Sequence, residues 1–264
     1  MKRTKKDIYK SYGIEFDGNY IIAPIFGPIK PLLKDGNNKL GHQIKTFSML
    51  AGTELYKLNI GECNYEVSGT CPMDCSGCYG KTGHYVQYSC KRSNAINTIL
   101  VGVALDFVKR AIMAQIEADR IQFVRIHATG DFNKQEYIDM WKEITTAFPN
   151  VDFWTYTKNP IAENAFDSIP NCNVVKSVIP DIGLNYGKCG YILNTYNTLQ
   201  ANNENAYICR CGIDPNQHCT NCKGCSKHKY VLFIEHSTDY KATEDPLYDT
   251  LKAVIESQPD PMSF

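Results

Sequence analysis

From Glu54 onward the apolar residues switch between strand-like and helical periods, and this alternation limits the possible folds more than any other feature of the chain. ELYKLNI (54–60) reads as a first core strand. A long helix is expected from Ser93, a suitable N-cap, to Asp119, because Ile96, Ile99, Leu100, Val103, Phe107 and Ala111 recur at three- and four-residue steps. FVRIHATGDF (123–132) is then a strand running into Gly-Asp, KQEYIDMWKEITTAF (134–148) a helix, and DFWTYT (152–157) a strand. IAENAFDSI (161–169) reads as a helix, and NVVKSVI (173–179) and GYILN (190–194) as strands. Such alternation implies right-handed crossovers and an α/β fold: a mainly parallel sheet, curled into a partial (β/α) barrel, with a Cys-rich C-terminal extension. Ligand sites in such sheets lie at the C-terminal strand ends.

Three regions are expected: an N-terminal extension over 1–53, the α/β core over 54–200, and a C-terminal region over 201–264. The first of these mixes short apolar pieces with turn formers and shows no sustained period. In the last, YVLFIEH (230–236) offers one more strand and 243–257 a helix.

Lys and Arg number 28 against 28 Asp and Glu, so the charge does not indicate a nucleic-acid partner. No apolar run reaches membrane-spanning length, and MKRTKKDIYKSYGIEF lacks the apolar stretch of a secretory signal, so a cytoplasmic protein without a membrane partner is expected. Twelve cysteines are then too many for core filling, and a reducing compartment does not preserve disulfides. Metal ligation is the better account.

Two cysteine groups stand out. GTCPMDCSGC places Cys71, Cys75 and Cys78 at C-x3-C-x2-C spacing. Three thiolates can hold three irons of a [4Fe–4S] cubane and leave the fourth iron open to a ligand. Cys63, eight residues upstream, would close the site if it joined them, and zinc is the alternative metal. In CRCGIDPNQHCTNCKGC (209–225), Cys219, Cys222 and Cys225 follow a ferredoxin-like C-x2-C-x2-C run. Cys211 is favoured over Cys209 as the fourth ligand, because the turn at Gly212–Pro215 folds the chain back, and His218 is a further candidate. This second, closed site would relay electrons or act as a scaffold, again with zinc as alternative. Cys90, Cys172 and Cys189 are isolated and read as buried apolar residues.

The spacing of Cys71, Cys75 and Cys78, after a strand and before a long helix, resembles the radical S-adenosylmethionine superfamily. The resemblance implies a [4Fe–4S] cluster on these three cysteines, S-adenosylmethionine on the open iron, and a reductant such as flavodoxin or ferredoxin. Where that family has an aromatic residue before the third cysteine, this chain has Gly77, with Tyr79 following. Thr129, Gly130 and Asp131 match the place of the family's glycine-rich stretch and are implied to seat the cofactor's methionine end. His127 would lie near that seat, as either a catalytic or a hydrogen-bonded strand residue. Trp154, Tyr156 and Lys158 share a strand face, and Lys176 and Ser177 are candidates for further cofactor contacts.

NKLGHQIKTFSMLAG (38–52), the 71–78 loop, IHATGDF (126–132), FWTYTKN (153–159) and the last cysteine loop together resemble the phage gene product 88 family over most of 38–225. That resemblance groups the motifs without implying a substrate. The expected function is therefore an iron–sulfur enzyme that generates a 5′-deoxyadenosyl radical on an unknown substrate. The rival is a non-catalytic phage accessory protein with structural iron–sulfur or zinc sites that binds a protein or nucleic acid. A pure electron-transfer protein does not need so large an α/β core.

Overall fold

The computed structural model describes residues 3–36, 40, 42–60, 62–72, 75, 78–176, 186–214, 217–234 and 241–259. Its largest sheet has five strands in the order β10 (Cys172–Lys176), β9 (Asp152–Thr157), β8 (Phe123–Ile126), β5 (Ile44–Thr46) and β4 (Lys34–Asp35). The pairs β5·β8, β8·β9 and β9·β10 are parallel, and β4 lies antiparallel on the edge. Three smaller sheets stand apart. β1 (Phe16–Asp17), β2 (Tyr20–Ala23) and β3 (Gly27–Ile29) form an antiparallel meander, and β6 (Leu55–Ile60) and β7 (Cys63–Ser68) form a hairpin. β11 (Tyr186–Gly187), β13 (Tyr230–Ile234) and β12 (Ala206–Ile208) run parallel.

The expected mainly parallel partial (β/α) barrel is therefore corrected to a mixed α/β architecture of small sheets, two of them wholly antiparallel and the largest of mixed sense. Barrel closure needs a continuous staggered ladder. Among the described residues no ladder joins β10 to β13; the Lys176 N–H instead reaches the carbonyl of Lys229, just before β13, at 2.9 Å. The strand expected over 54–60 lies in the antiparallel hairpin instead, and the sheet strand that precedes the first cysteine loop is β5.

One face of the five-stranded sheet is covered by α2 (Tyr88–Val103), α3 (Leu105–Asp119) and α4 (Gln135–Ala147). Tyr137, Ile138, Trp141 and Ile144 of α4 are all fully buried, as their spacing predicts. The single helix expected over 93–119 is two, because Ala104 (φ −143°, ψ 46°) breaks the chain just after Gly102, a poor helix former. The 161–169 helix shortens to α5 (Pro160–Glu163), with Asn159 capping the Ile161 N–H at 3.0 Å. GYILN is not a strand but part of α6 (Cys189–Ala201), where Ile192 and Leu193 recur with helical period beside Tyr196 and Leu199. α6 and α8 (Tyr248–Ser257) pack on the β11–β13–β12 sheet around Ile208, Leu232 and Leu251.

Residues before Glu54 are also ordered by burial. In α1 (Lys5–Ser11), Thr4 and Asp7 form a capping box, and Tyr9 stacks on Phe16 at 4.5 Å between ring centroids. Phe47 and Met49 are fully buried beside the main sheet. Among the described residues no helix is long and apolar enough to cross a membrane.

Candidate metal centres

The first cysteine loop is tied down where β5, β8 and β9 end. After β5 the chain keeps contact with β8's continuation through the Ala128 N–H to the Phe47 carbonyl (2.9 Å) and the Met49 N–H to the Thr129 carbonyl (3.0 Å). The chain then returns from the hairpin: the Thr70 N–H reaches the Leu50 carbonyl at 3.0 Å, and Cys71 pairs with Gly52 through N–H to carbonyl and N–H to Sγ, both 3.2 Å. Cys75 and Cys78 follow in tight turns, the Cys78 N–H donating to the Cys75 carbonyl at 3.2 Å. A Cβ added to Gly80 would meet Thr129 Cγ2 at 3.2 Å and Cys78 Sγ at 3.5 Å, so Cys78 lies against the end of β8. Gly77 is outside the described residues.

Burial pushes the Cys71 thiol up to about 11, and the nearby Asp131 and Cys78 add to the effect. A thiol held neutral in this way becomes a ligand only when a cation takes the proton's place. Cys63 does not share the loop. It is exposed and pairs with Ile60 at the far end of the hairpin, about 17 Å along β7 from Ser68 at ~3.4 Å per residue.

Thr129, Gly130 and Asp131 are brought to the loop and brace it. The Thr129 hydroxyl donates to the Met49 carbonyl (2.9 Å) and accepts from Asn94 Nδ2 (3.1 Å). Gly130 has φ +81°, and the Asp131 N–H donates to Thr70 Oγ1 at 3.0 Å. The Asp131 carboxylate accepts from the Phe132 N–H (2.7 Å), the Thr157 hydroxyl (2.7 Å) and the Lys158 N–H (2.8 Å). The chain's own donors thus occupy the carboxylate that the sequence offers to an ammonium group. Burial raises the Asp131 carboxyl above the usual carboxylate range, and these three hydrogen bonds oppose the shift.

An open cavity of about 740 Å³ runs under the first turns of α2, lined by Ser48, Cys90, Ser93, Asn94, Asn97 and Ala128 among others; it meets the loop's surroundings through Asn94, which is bonded to Thr129, and not through the three cysteines. Sequence reasoning passed over it. Its signal was the polar set Ser93, Asn94 and Asn97 on a helix whose other buried positions, Thr98 apart, are apolar.

The second group lies on the sheet face opposite α2–α4. After β12, Cys209 donates its N–H to the Leu232 carbonyl at 2.8 Å, and the short helix α7 (Cys219–Cys222) places two cysteines one turn apart. Cys209, Cys211, Cys219, Cys222 and Cys225 line one cavity of about 20 Å³, which in this form is the size of a single water or ion. Tyr207 Oη is 3.3 Å from Cys222 Sγ, and Tyr156 packs in the same cluster as Cys225. A Cβ on Gly224 would stand 2.5 Å from the Tyr207 ring, so only glycine admits this approach. Asn173 Nδ2 ties the loop to β10 through the Cys225 and His228 carbonyls, both at 2.8 Å. Burial pushes the Cys225 thiol up to about 12.

The remaining candidates divide. Trp154 and Tyr156 face the second group rather than the first. His127 is buried against Phe132 and Tyr137, with Nε2 2.8 Å from the Tyr137 hydroxyl, and is a core histidine. Lys176 pairs with Glu163 at 3.5 Å, and Ser177 is outside the described residues. His218 is exposed, while Cys172 and Cys189 are buried apolar residues. All twelve cysteines stand outside disulfides. Among the described residues no three His, Cys, Asp or Glu side chains form a preformed metal-binding group, so ligation at either loop requires the thiols to draw together.

Fold and site thus define a mixed α/β protein that presents two separate thiol-rich loops on one central sheet. The chain belongs to the Gene product 88 family, whose model matches residues 31–181, more than half its length. No curated protein and no solved structure matches it.

Proposed function

We propose that the chain is an iron–sulfur protein with two centres, and that the first, on Cys71, Cys75 and Cys78, is an open [4Fe–4S] site for S-adenosylmethionine. The observation that carries this reading is where the three cysteines lie. They sit at the C-terminal ends of parallel strands, Cys63 is carried away along the hairpin, and the cavity under α2 reaches Ala128 and Asn94, the neighbours of Thr129. The donor set suits the group: three thiols on one loop satisfy three irons and leave one position for a chelating ligand.

When bound, the cluster would supply one electron to the sulfonium and release methionine and a 5′-deoxyadenosyl radical, which takes a hydrogen atom from the substrate. The electron would come from a reductant such as flavodoxin or ferredoxin. This chain's residues hold and shield the site. Asp131, Thr157 and Thr70 fix the loop against the strand ends, and the hydroxyl and amide groups of Ser93, Asn94 and Asn97 offer the adjoining cavity polar contacts for a small molecule. The second centre, on Cys219, Cys222, Cys225 and one upstream cysteine, relays electrons or stabilises the C-terminal region.

A second reading is favoured by the three internal hydrogen bonds that the Asp131 carboxylate already accepts: a non-catalytic accessory protein whose thiol loops hold structural iron–sulfur or zinc and which binds a macromolecular partner. Anaerobic purification with iron, sulfide and zinc counts, followed by a search for 5′-deoxyadenosine after reduction with S-adenosylmethionine, separates the two. About eight irons per chain and a slow release of 5′-deoxyadenosine support the enzyme. Zinc in both sites, or iron without the nucleoside, supports the accessory protein.

A further inference from the structure

We infer that Cys209, together with Cys219, Cys222 and Cys225, forms the second metal site, that Cys211 stays outside it, and that Tyr207 donates a hydrogen bond to the Cys222 sulfur. This rests on the two-centre reading above and assigns the ligand that the sequence leaves between two cysteines.

Three observations separate Cys209 from Cys211. Cys209 lies at the end of β12, 5 % exposed and within the buried cluster that holds Cys222, whereas Cys211 is only partly buried at the edge of that cluster. Cys211 is turned toward the polypeptide instead, its S–H donating to the Gln217 carbonyl at 3.1 Å. A thiolate there would face a carbonyl oxygen, which repels it. The backbone also holds Cys209 more firmly, because its N–H is bonded into the ladder at the Leu232 carbonyl (2.8 Å) while Cys211 sits in a 3₁₀ turn.

The phenol follows from the same geometry. Once Cys222 ligates a metal it is a thiolate without a proton to give, so Tyr207, 3.3 Å from Cys222 Sγ, must be the donor. Hydrogen bonds to ligand sulfur withdraw electron density from the centre and raise its reduction potential.

The test uses full-length protein purified without oxygen and carrying Cys75→Ser, so that the remaining metal belongs to the second site. Iron and zinc are counted in this background and after adding Cys209→Ser or Cys211→Ser. Loss of the metal with Cys209→Ser and full retention with Cys211→Ser is the expected result. The reverse pattern, retention in both or loss in both overturns the assignment. Because serine at a buried position can unfold the C-terminal region, Tyr207→Phe provides a second readout. It should retain the metal, shift the thiolate-to-metal absorption to lower energy and, for an iron centre, make the potential more negative. An unchanged spectrum overturns the donor role. A Cys75→Ser protein without any metal refutes the two-centre reading itself, whereas metal indifferent to Cys209 refutes this assignment alone.

Discussion

The Thr157 hydroxyl donates to the Asp131 carboxylate at 2.7 Å, joining the end of β9 to the turn after β8 directly behind the first cysteine loop. Asp131 is 5 % exposed and accepts two backbone N–H groups as well. Asp131→Ala should therefore lower stability by about 3 kcal/mol, and Thr157→Val by about 1 kcal/mol, in urea unfolding. An Asp131→Ala protein as stable as the parent would mean that the carboxylate serves a ligand and not the fold.

His127 has φ +61°, and burial, helped by the Arg125 charge, holds its imidazole down at about 3. The unfolded chain binds a proton near pH 6.5 that the folded chain refuses, so stability is fully present above pH 6.5 and falls as the pH drops toward the folded value. One such proton removes about 1.4 kcal/mol per pH unit, or roughly 2 kcal/mol between pH 6.5 and 5. His127→Asn, with a residue that tolerates this backbone region, should show a correspondingly shallower loss in denaturation at pH 7 and pH 5. Equal slopes for parent and variant would rule out His127 as the source.

Gly224 meets the face of Tyr207, where a Cβ would stand at 2.5 Å. Gly224→Ala should displace the ring from Cys222 and cost about 1–3 kcal/mol, with reduced metal retention at the second centre and none lost at the first. Unaltered metal content at the second centre would show that the Tyr207 contact does not support ligation.

Cys63 lies at the tip of the β6–β7 hairpin, so Cys63→Ser should leave the metal content unchanged, whereas Cys75→Ser should remove one centre's share. Equal losses from the two variants would mean that Cys63 reaches the loop and closes it.

Much of the helical layer was legible in the sequence because burial imposes a period: the four buried residues of α4 and the limits of β9 emerge as read. Periodicity does not say which strands pair. ELYKLNI alternates like any half-buried strand, and only the antiparallel register of Leu58 with Tyr65 takes it out of the main sheet. GYILN is apolar enough for either state, and Tyr196 and Leu199 beyond it decide for helix. β5, with only three residues, is too short to signal itself. The cysteine groups were visible as spacing, but the choice between Cys209 and Cys211 depends on a hydrogen bond to Gln217, and the internal bonding of Asp131 depends on Thr157 and Lys158, all set by tertiary packing.

The most direct test of the central claim is the electron paramagnetic resonance spectrum of the reduced protein carrying Cys222→Ser, so that the signal comes from the first centre alone, recorded with and without saturating S-adenosylmethionine. An open iron at Cys71, Cys75 and Cys78 predicts a [4Fe–4S] signal that changes on adding the cofactor and disappears with Cys75→Ser. A signal that the cofactor leaves unchanged, or the presence of zinc with no signal at all, would contradict it.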